Sequence, residues 1–170
     1  MAGSKRIELT AERLREVLHY DPETGVFTWL VKTSNRVHVG RVAGTSHKIG
    51  YRMIAIDGHL YYAHRLTWFY MTGKWPNAAL DHGNLDKDDN RFANLREATM
   101  SQNLANTRAR SDNTSGLKGV GWDERRGKWM ARITTRGKRR HLGRFDCPAA
   151  AHLAYVVAAH KHFGEFARSA

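Results

Sequence analysis

Residues 80–103 read LDHGNLDKDDNRFANLREATMSQN, and three of their side chains could do chemistry together. His82 has an unperturbed pKa near ~6.5, which suits a general base at neutral pH. Asp81 beside it is a hard oxygen ligand of the kind Mg²⁺ takes. Asn103 offers an amide oxygen, also hard. It falls in the first turn of a helix that the capping box Thr99-Met-Ser-Gln102 should start, and such a helix end favours anions. A base that activates water and a cation that neutralises a phosphate are what phosphodiester hydrolysis requires. One condition follows. Neighbours on a regular strand point to opposite faces, so the strand carrying Asp81 must end or twist at His82. Gly83 makes that break cheap.

Other polar residues nearby read as scaffold. Asp86, Asp88, Asn90 and Glu97 have the spacing of a calcium loop, but Arg91 replaces the required glycine and no helix precedes them. A solvated loop is expected, with Asn90 bracing it. His64 could touch phosphate or pack and hydrogen-bond, and the second is the expectation. His160 and His162 lie two apart on a helix and face different ways, as cations near its C-terminus. Cys147 is expected to be buried.

These residues need elements to position them. Thr10 to Tyr20 reads as a capped helix with Leu14, Val17 and Leu18 on one face. Asp21-Pro-Glu-Thr-Gly25 is turn chemistry before the alternating VFTWL. YRMIAI and HLYYAH around Asp57-Gly58 predict a β-hairpin. HRLTWFYMTG predicts a helix ending at Gly73, with Leu66, Phe69 and Tyr70 facing a core. Ala79 to Asp81 predicts a short strand, and the capped helix should run toward Arg108. Ser111 to Gly116 reads as a linker. GVGWDE, KWMARITT and RRHLGRF predict three strands. A final helix follows, capped by Asp146, with Ala150, Leu153, Ala154, Val157 and Ala158 as its buried stripe and Gly164 as its stop.

The 170 residues carry a net charge of +12. Between Arg108 and Arg144 there are 12 Lys/Arg against 3 acids, so this part holds +9 of the excess. That concentration points to a polyanion, nucleic acid first. One cysteine excludes an internal disulfide and a paired-cysteine zinc site. The opening MAGSKRIELT lacks a signal-peptide core, and the apolar runs are too short to span a bilayer. No membrane partner and a cytoplasmic setting are expected.

Asp81-His82, Asn94 and Asn103, together with HRLTW, the Asp-Asn-Arg at 89–91, NLREAT and QN, resemble the HNH endonuclease family in its His-Asn-Asn variant, over roughly residues 20–106. The resemblance implies a ββα-metal fold around one Mg²⁺ or Mn²⁺ per active site. It implies His82 as the base, Asp81 and Asn103 as metal ligands, and Asn94 bracing the loop that aims His82. Asparagine in place of the family's final histidine puts an oxygen where a nitrogen would be, which favours the harder metals.

Residues 113–167 resemble the AP2 DNA-binding domain through GV-W, KW-A-I, LG-F and the helix with Ala154-Tyr155. Period two places Trp129, Ala131 and Ile133 toward that helix and Lys128, Met130, Arg132 and Thr134 on the open face. The resemblance implies that this face enters the DNA major groove. Carried over by position, Lys118, Arg132, Thr134, Arg139 and His141 are the contacts, with Lys128 on the same face and Arg125 and Arg126 near a hairpin tip.

The expected fold class is α+β: an N-terminal α/β region (1–60) packed on an HNH ββα-metal core (61–110), a linker (111–116), and a three-stranded sheet with one helix (117–170). The expected function is metal-dependent hydrolysis of double-stranded DNA by a site-preferring, homing-type nickase encoded by a phage and acting in the bacterial cytoplasm. It would act as a monomer on DNA, or as a dimer for double-strand cleavage. The alternative is a catalytically inert DNA-binding regulator.

Overall fold

The computed structural model of the protein describes residues 8–109 and 111–168. The first seven residues, Arg110 and the last two lie outside it, so the reading of the opening MAGSKRI belongs to the sequence alone. The chain forms two compact units, residues 1–97 and 98–170.

The N-terminal unit opens with helix α1 (Ala11–Val17), whose cap is Thr10: its hydroxyl accepts the Arg13 N–H at 3.1 Å. The helix is shorter than expected. Leu18 begins strand β1 (Leu18–Asp21), which pairs antiparallel with β2 (Val26–Trp29) around the Asp21–Gly25 turn. Leu18 and Tyr20 are buried and His19 is exposed, the period of a strand, so the hairpin partner overrides the helical pattern. Strands β3 (Thr45–Ser46), β4 (Arg52–Ile56) and β5 (His59–Tyr62) form a second sheet. Asp57 and Gly58 turn the β4–β5 hairpin with φ of 47° and 80°. Helix α2 (Ala63–Thr72) ends at the left-handed Gly73. Strands β6 (Ala79–His82) and β7 (Leu95–Ala98) pair, separated by a loop that closes with the 3-10 turn Phe92–Asn94. A single apolar core joins Leu14, Val17 and Leu18 to Phe27, Ile54, Ile56, Leu66 and Phe69. The N-terminal hairpins and α2 are therefore one folded body.

The C-terminal unit begins with helix α3 (Met100–Asn106), and both bonds of the Thr99/Gln102 capping box are present. The division between units falls at 97/98, ahead of α3. The serine-rich stretch 111–116 carries hydrogen bonds of its own. Asn113 donates to the Leu117 carbonyl at 2.8 Å, and the Ser115 hydroxyl contacts the Leu117 and Val120 carbonyls. Strands β8 (Val120–Asp123), β9 (Lys128–Thr135) and β10 (Lys138–Phe145) form an antiparallel sheet in the order β10-β9-β8. Helix α4 (Pro148–Phe163) covers one face.

Helix α4 departs from expectation in three ways. Its cap is Cys147, whose sulfur accepts the Ala150 N–H at 3.4 Å; Asp146 pairs with Lys128 instead. Cys147 is exposed, not buried. The buried stripe is Ala151, Tyr155 and Ala159, while Leu153 and Val157 are 64% and 62% exposed. Tyr155 takes the centre because Gly119 lies under its ring: a Cβ at Gly119 would sit 2.1 Å from the ring. Among the described residues no helix is long and apolar enough to cross a membrane.

Candidate active site and nucleic-acid interface

Asp81 and His82 close strand β6, 3% and 4% exposed. The strand stops at His82, the break that the expected site calls for. Gly83 donates its N–H to the Asn94 carbonyl at 2.9 Å, and Leu85 donates to the His82 carbonyl at 3.0 Å. Both neighbours are thereby buried at the mouth of one loop.

That loop is held by its own polar side chains. The Asn94 amide oxygen accepts the Asn84 N–H at 3.0 Å, and its nitrogen donates to Asn84 Oδ1 and the Asp89 carbonyl. Asp89 takes the Arg91 guanidinium and the Asn84 amide. Asp88 takes Arg52 at 2.8–2.9 Å, and Asp86 accepts the Asp88 N–H. The acidic run is therefore loop scaffold, and its carboxylates face arginines and backbone, not a common centre. Among the described residues no three His, Cys, Asp or Glu side chains form a metal-binding group.

Asn90 is 1% exposed and donates to the Asp88 carbonyl at 2.9 Å. Its amide oxygen has no donor within normal hydrogen-bond reach, yet the side chain lies close enough to His82 to favour that imidazole's charged form. Burial dominates and lowers the His82 pKa; Asn90 and the carboxylates of Asp81, Asp89 and Asp86 pull the other way.

Sequence reasoning missed two members of this neighbourhood, Arg96 and Tyr51, and did not place a third, His64, beside His82. Arg96, on β7, donates to Asp81 Oδ2 through Nε at 3.1 Å and Nη2 at 2.9 Å. His64, on α2, stands 5.2 Å from His82 ring to ring at 76°. Burial, with the neighbouring His82 and Arg65 charges, depresses His64 to about 3. Tyr51 completes the group, 5.0 Å from His64 and 5.8 Å from His82, with the Lys87 ammonium over its ring. Arg96 is legible only once β6 and β7 are paired. HRLTW signalled His64, but its distance to His82 depends on how α2 packs.

The donor types fit a hard cation better than a soft one. Asp81 offers a buried carboxylate, though Arg96 already neutralises one of its oxygens. Asn103 sits in the first turn of α3, where its N–H donates to the Thr99 carbonyl at 2.9 Å. It belongs to the C-terminal unit, whereas Asp81, His82, Asn90 and Asn94 are brought together in the N-terminal one.

On the C-terminal sheet, cross-strand registry puts Arg132 opposite His141 and Thr134 opposite Arg139 on the face away from α4. The Arg132 guanidinium lies across Gly121, where an added Cβ would meet its Nη2 at 3.3 Å. Arg125 and Arg126 lie in the β8–β9 turn, and Arg136-Gly137 makes the β9–β10 turn. Part of the face is self-neutralised. Lys128 pairs with Asp146, and Arg144 and Arg126 converge on Asp123 at 2.8 and 3.6 Å. Lys118 does not belong to the face. Its half-buried ammonium donates to the carbonyls of Ala105 and Thr107 at the end of α3, and burial lowers its pKa to about 8.

A family model described as HNH endonuclease matches residues 61–105, and the AP2 domain model matches residues 115–165. Protein 3.8 of Escherichia phage T7 is 30% identical over 106 residues, covering 62% of this chain and 87% of that protein. A solved structure of DNA binding and cleavage by the HNH homing endonuclease I-HmuI is 25% identical, with a TM-score of 0.40. That likeness covers 52% of this chain and spans only 50% of the I-HmuI chain. The match at 61–105 contains β6, the braced loop and β7, and the match at 115–165 contains the basic sheet and α4: the chain belongs to the HNH endonuclease family and carries an AP2 domain behind its nuclease region.

Proposed function

We propose that this protein is a metal-dependent endonuclease that hydrolyses a phosphodiester bond in double-stranded DNA, as a site-preferring nickase of the homing type. The observation that carries the reading is the joint burial of Asp81 and His82 at the end of β6, with Asn94 closing the loop beside them. Burial keeps His82 neutral at physiological pH, so its imidazole can take a proton from the attacking water. Asn94 and Asn90 fix the loop that aims it. Asp81 would serve as a ligand of a Mg²⁺ or Mn²⁺ ion, which when bound neutralises charge growing on the phosphate. Arg132, Thr134, Arg139 and His141 supply the AP2 face that engages the duplex. Most of these contacts would be to phosphate; an arginine can also read guanine. One such site per chain nicks; double-strand cleavage needs a second copy. The T7 relative fits a phage-encoded protein working in the host cytoplasm.

A DNA-binding regulator with an inert nuclease core has one observation in its favour: Arg96 already occupies Asp81. Supercoiled DNA incubated with wild type or His82→Ala, with Mg²⁺, Mn²⁺ or EDTA, separates the two. Conversion to open circle by wild type, dependent on metal and lost in His82→Ala, is the expected result. Binding without conversion under either metal would establish the regulator.

A further inference from the structure

The loop beside His82 is held from outside as well as within, and the outside hold comes from residues far away in sequence. The Tyr20 hydroxyl, on β1, donates to the Asn90 carbonyl at 2.9 Å and accepts the Phe92 N–H at 2.9 Å. It therefore bridges the backbone across Arg91. The Thr67 hydroxyl, on α2, donates to the same Asn90 carbonyl at 3.2 Å. The three residues that meet here are almost fully buried: Tyr20 is 3%, Thr67 0% and Asn90 1% exposed. A backbone carbonyl receiving two buried hydroxyls is pinned in direction, because neither donor has water as an alternative partner.

The surroundings fix the hydroxyls in turn. The Tyr20 ring packs on Phe27 at 4.9 Å and Tyr70 at 5.6 Å. Gly25, at the tip of the same hairpin, lies against the loop backbone: a Cβ there would sit 2.4 Å from the Arg91 nitrogen. Thr67 lies three residues after His64 on α2, so one helix face meets both Asn90 and His82.

We infer that Tyr20 and Thr67 are positioning residues of the nuclease site. They hold the Asn90–Phe92 backbone so that the Asn90 side chain stays against His82 and the imidazole keeps its aim. The inference rests on the nuclease reading proposed above. It gives the N-terminal hairpin a part in the reaction without contact with substrate. Loss of the Tyr20 hydroxyl leaves the Phe92 N–H without its acceptor and lets the loop relax. A small misplacement of a catalytic group costs on the order of 100-fold in rate.

Tyr20→Phe tests this in the full chain, because it keeps the ring and removes only the hydroxyl. Nicking kinetics, thermal midpoint, amide exchange at Phe92 and the His82 ring resonances in NMR are the readouts. Expected are a kcat roughly 10- to 100-fold lower with KM little changed, faster exchange at Phe92 and shifted His82 resonances. Thr67→Val should lower kcat in the same direction, and Thr67→Ser should restore it. A lowered thermal midpoint with wild-type kcat and unmoved His82 resonances would show a fold contact only, and the inference would fall. If Tyr20→Phe does not fold, the Thr67→Val and Thr67→Ser pair decides by the same criteria. If wild type itself does not nick, the nuclease reading fails. The His82 resonances then still decide whether the hydroxyls position the imidazole.

Discussion

Two neighbouring imidazoles, His64 and His82, are folded into low-dielectric surroundings, and both are held below the ordinary histidine range. For His64 the folded value is about 3 against 6.5 for an unperturbed histidine. Above pH 6.5 the group is neutral in both states and costs nothing. Below it the unfolded chain takes a proton that the folded chain refuses, so stability falls by about 1.4 kcal/mol per pH unit until the folded pKa is reached. His82 adds to the upper part of that window. Asp89, depressed to about 2 by the Arg91 guanidinium, loses its contribution only below the normal carboxylate range. The interval from pH 6.5 to 4.5 therefore isolates the histidines from that carboxylate. Thermal midpoints should fall steeply across it in wild type and less steeply in His64→Gln. An unchanged slope in the variant would place His64 in a wetter environment than the structure gives it. At this scale the sequence displays the residues proposed to carry the chemistry, Asp81, His82 and Asn94, because their spacing is local. It cannot display Arg96 or Tyr20, which reach the site across strand pairing and a sequence separation of 70 residues.

Elements with strong periodicity or punctuation are legible, and those without are not. The Asp57-Gly58 hairpin, the Gly73 stop of α2, the Thr99/Gln102 box and the limits of β9 all follow from turn and cap chemistry read directly off the residues. Helix α4 is alanine-rich, so two neighbouring stripes are almost equally apolar and the sequence alone cannot choose between them. Gly119 makes the choice, because its missing side chain admits Tyr155. The two faces should therefore respond oppositely. Leu153→Ser and Val157→Ser, both on exposed positions, should change stability by no more than ~0.5 kcal/mol. Tyr155→Ala should cost about 3–5 kcal/mol, in the range for truncating a buried aromatic ring. Urea denaturation of the three variants reads the difference. A large loss at Leu153 or Val157 would mean that these side chains are covered in solution. The same helix shows why residue type misleads at Cys147. A lone cysteine is usually buried, but here its sulfur serves as a helix cap at the surface.

At the scale of the whole molecule, charge does not convert directly into binding. The excess of +12 suggests a broad polyanion-binding surface, but several of the basic groups on the AP2 unit already have protein partners. Lys128 is neutralised by Asp146, Arg126 and Arg144 share Asp123, and Lys118 closes the end of α3. Arg132 and Arg139, set across β9 and β10 from His141 and Thr134, are the cations proposed above to meet phosphates on the open face. Salt dependence can separate these populations, because removing one cation that neutralises a phosphate should flatten the slope of log K against log salt by about 0.9. Arg132→Ala and Arg139→Ala should each do so in duplex binding followed by fluorescence anisotropy. Lys128→Ala should flatten it less, since its charge already has a partner. Lys118→Ala should leave the slope unchanged and lower the thermal midpoint, because the ammonium it removes is bonded to protein carbonyls. A slope change at Lys118 equal to that at Arg139 would return Lys118 to the DNA face and require α3 to be capped by something else.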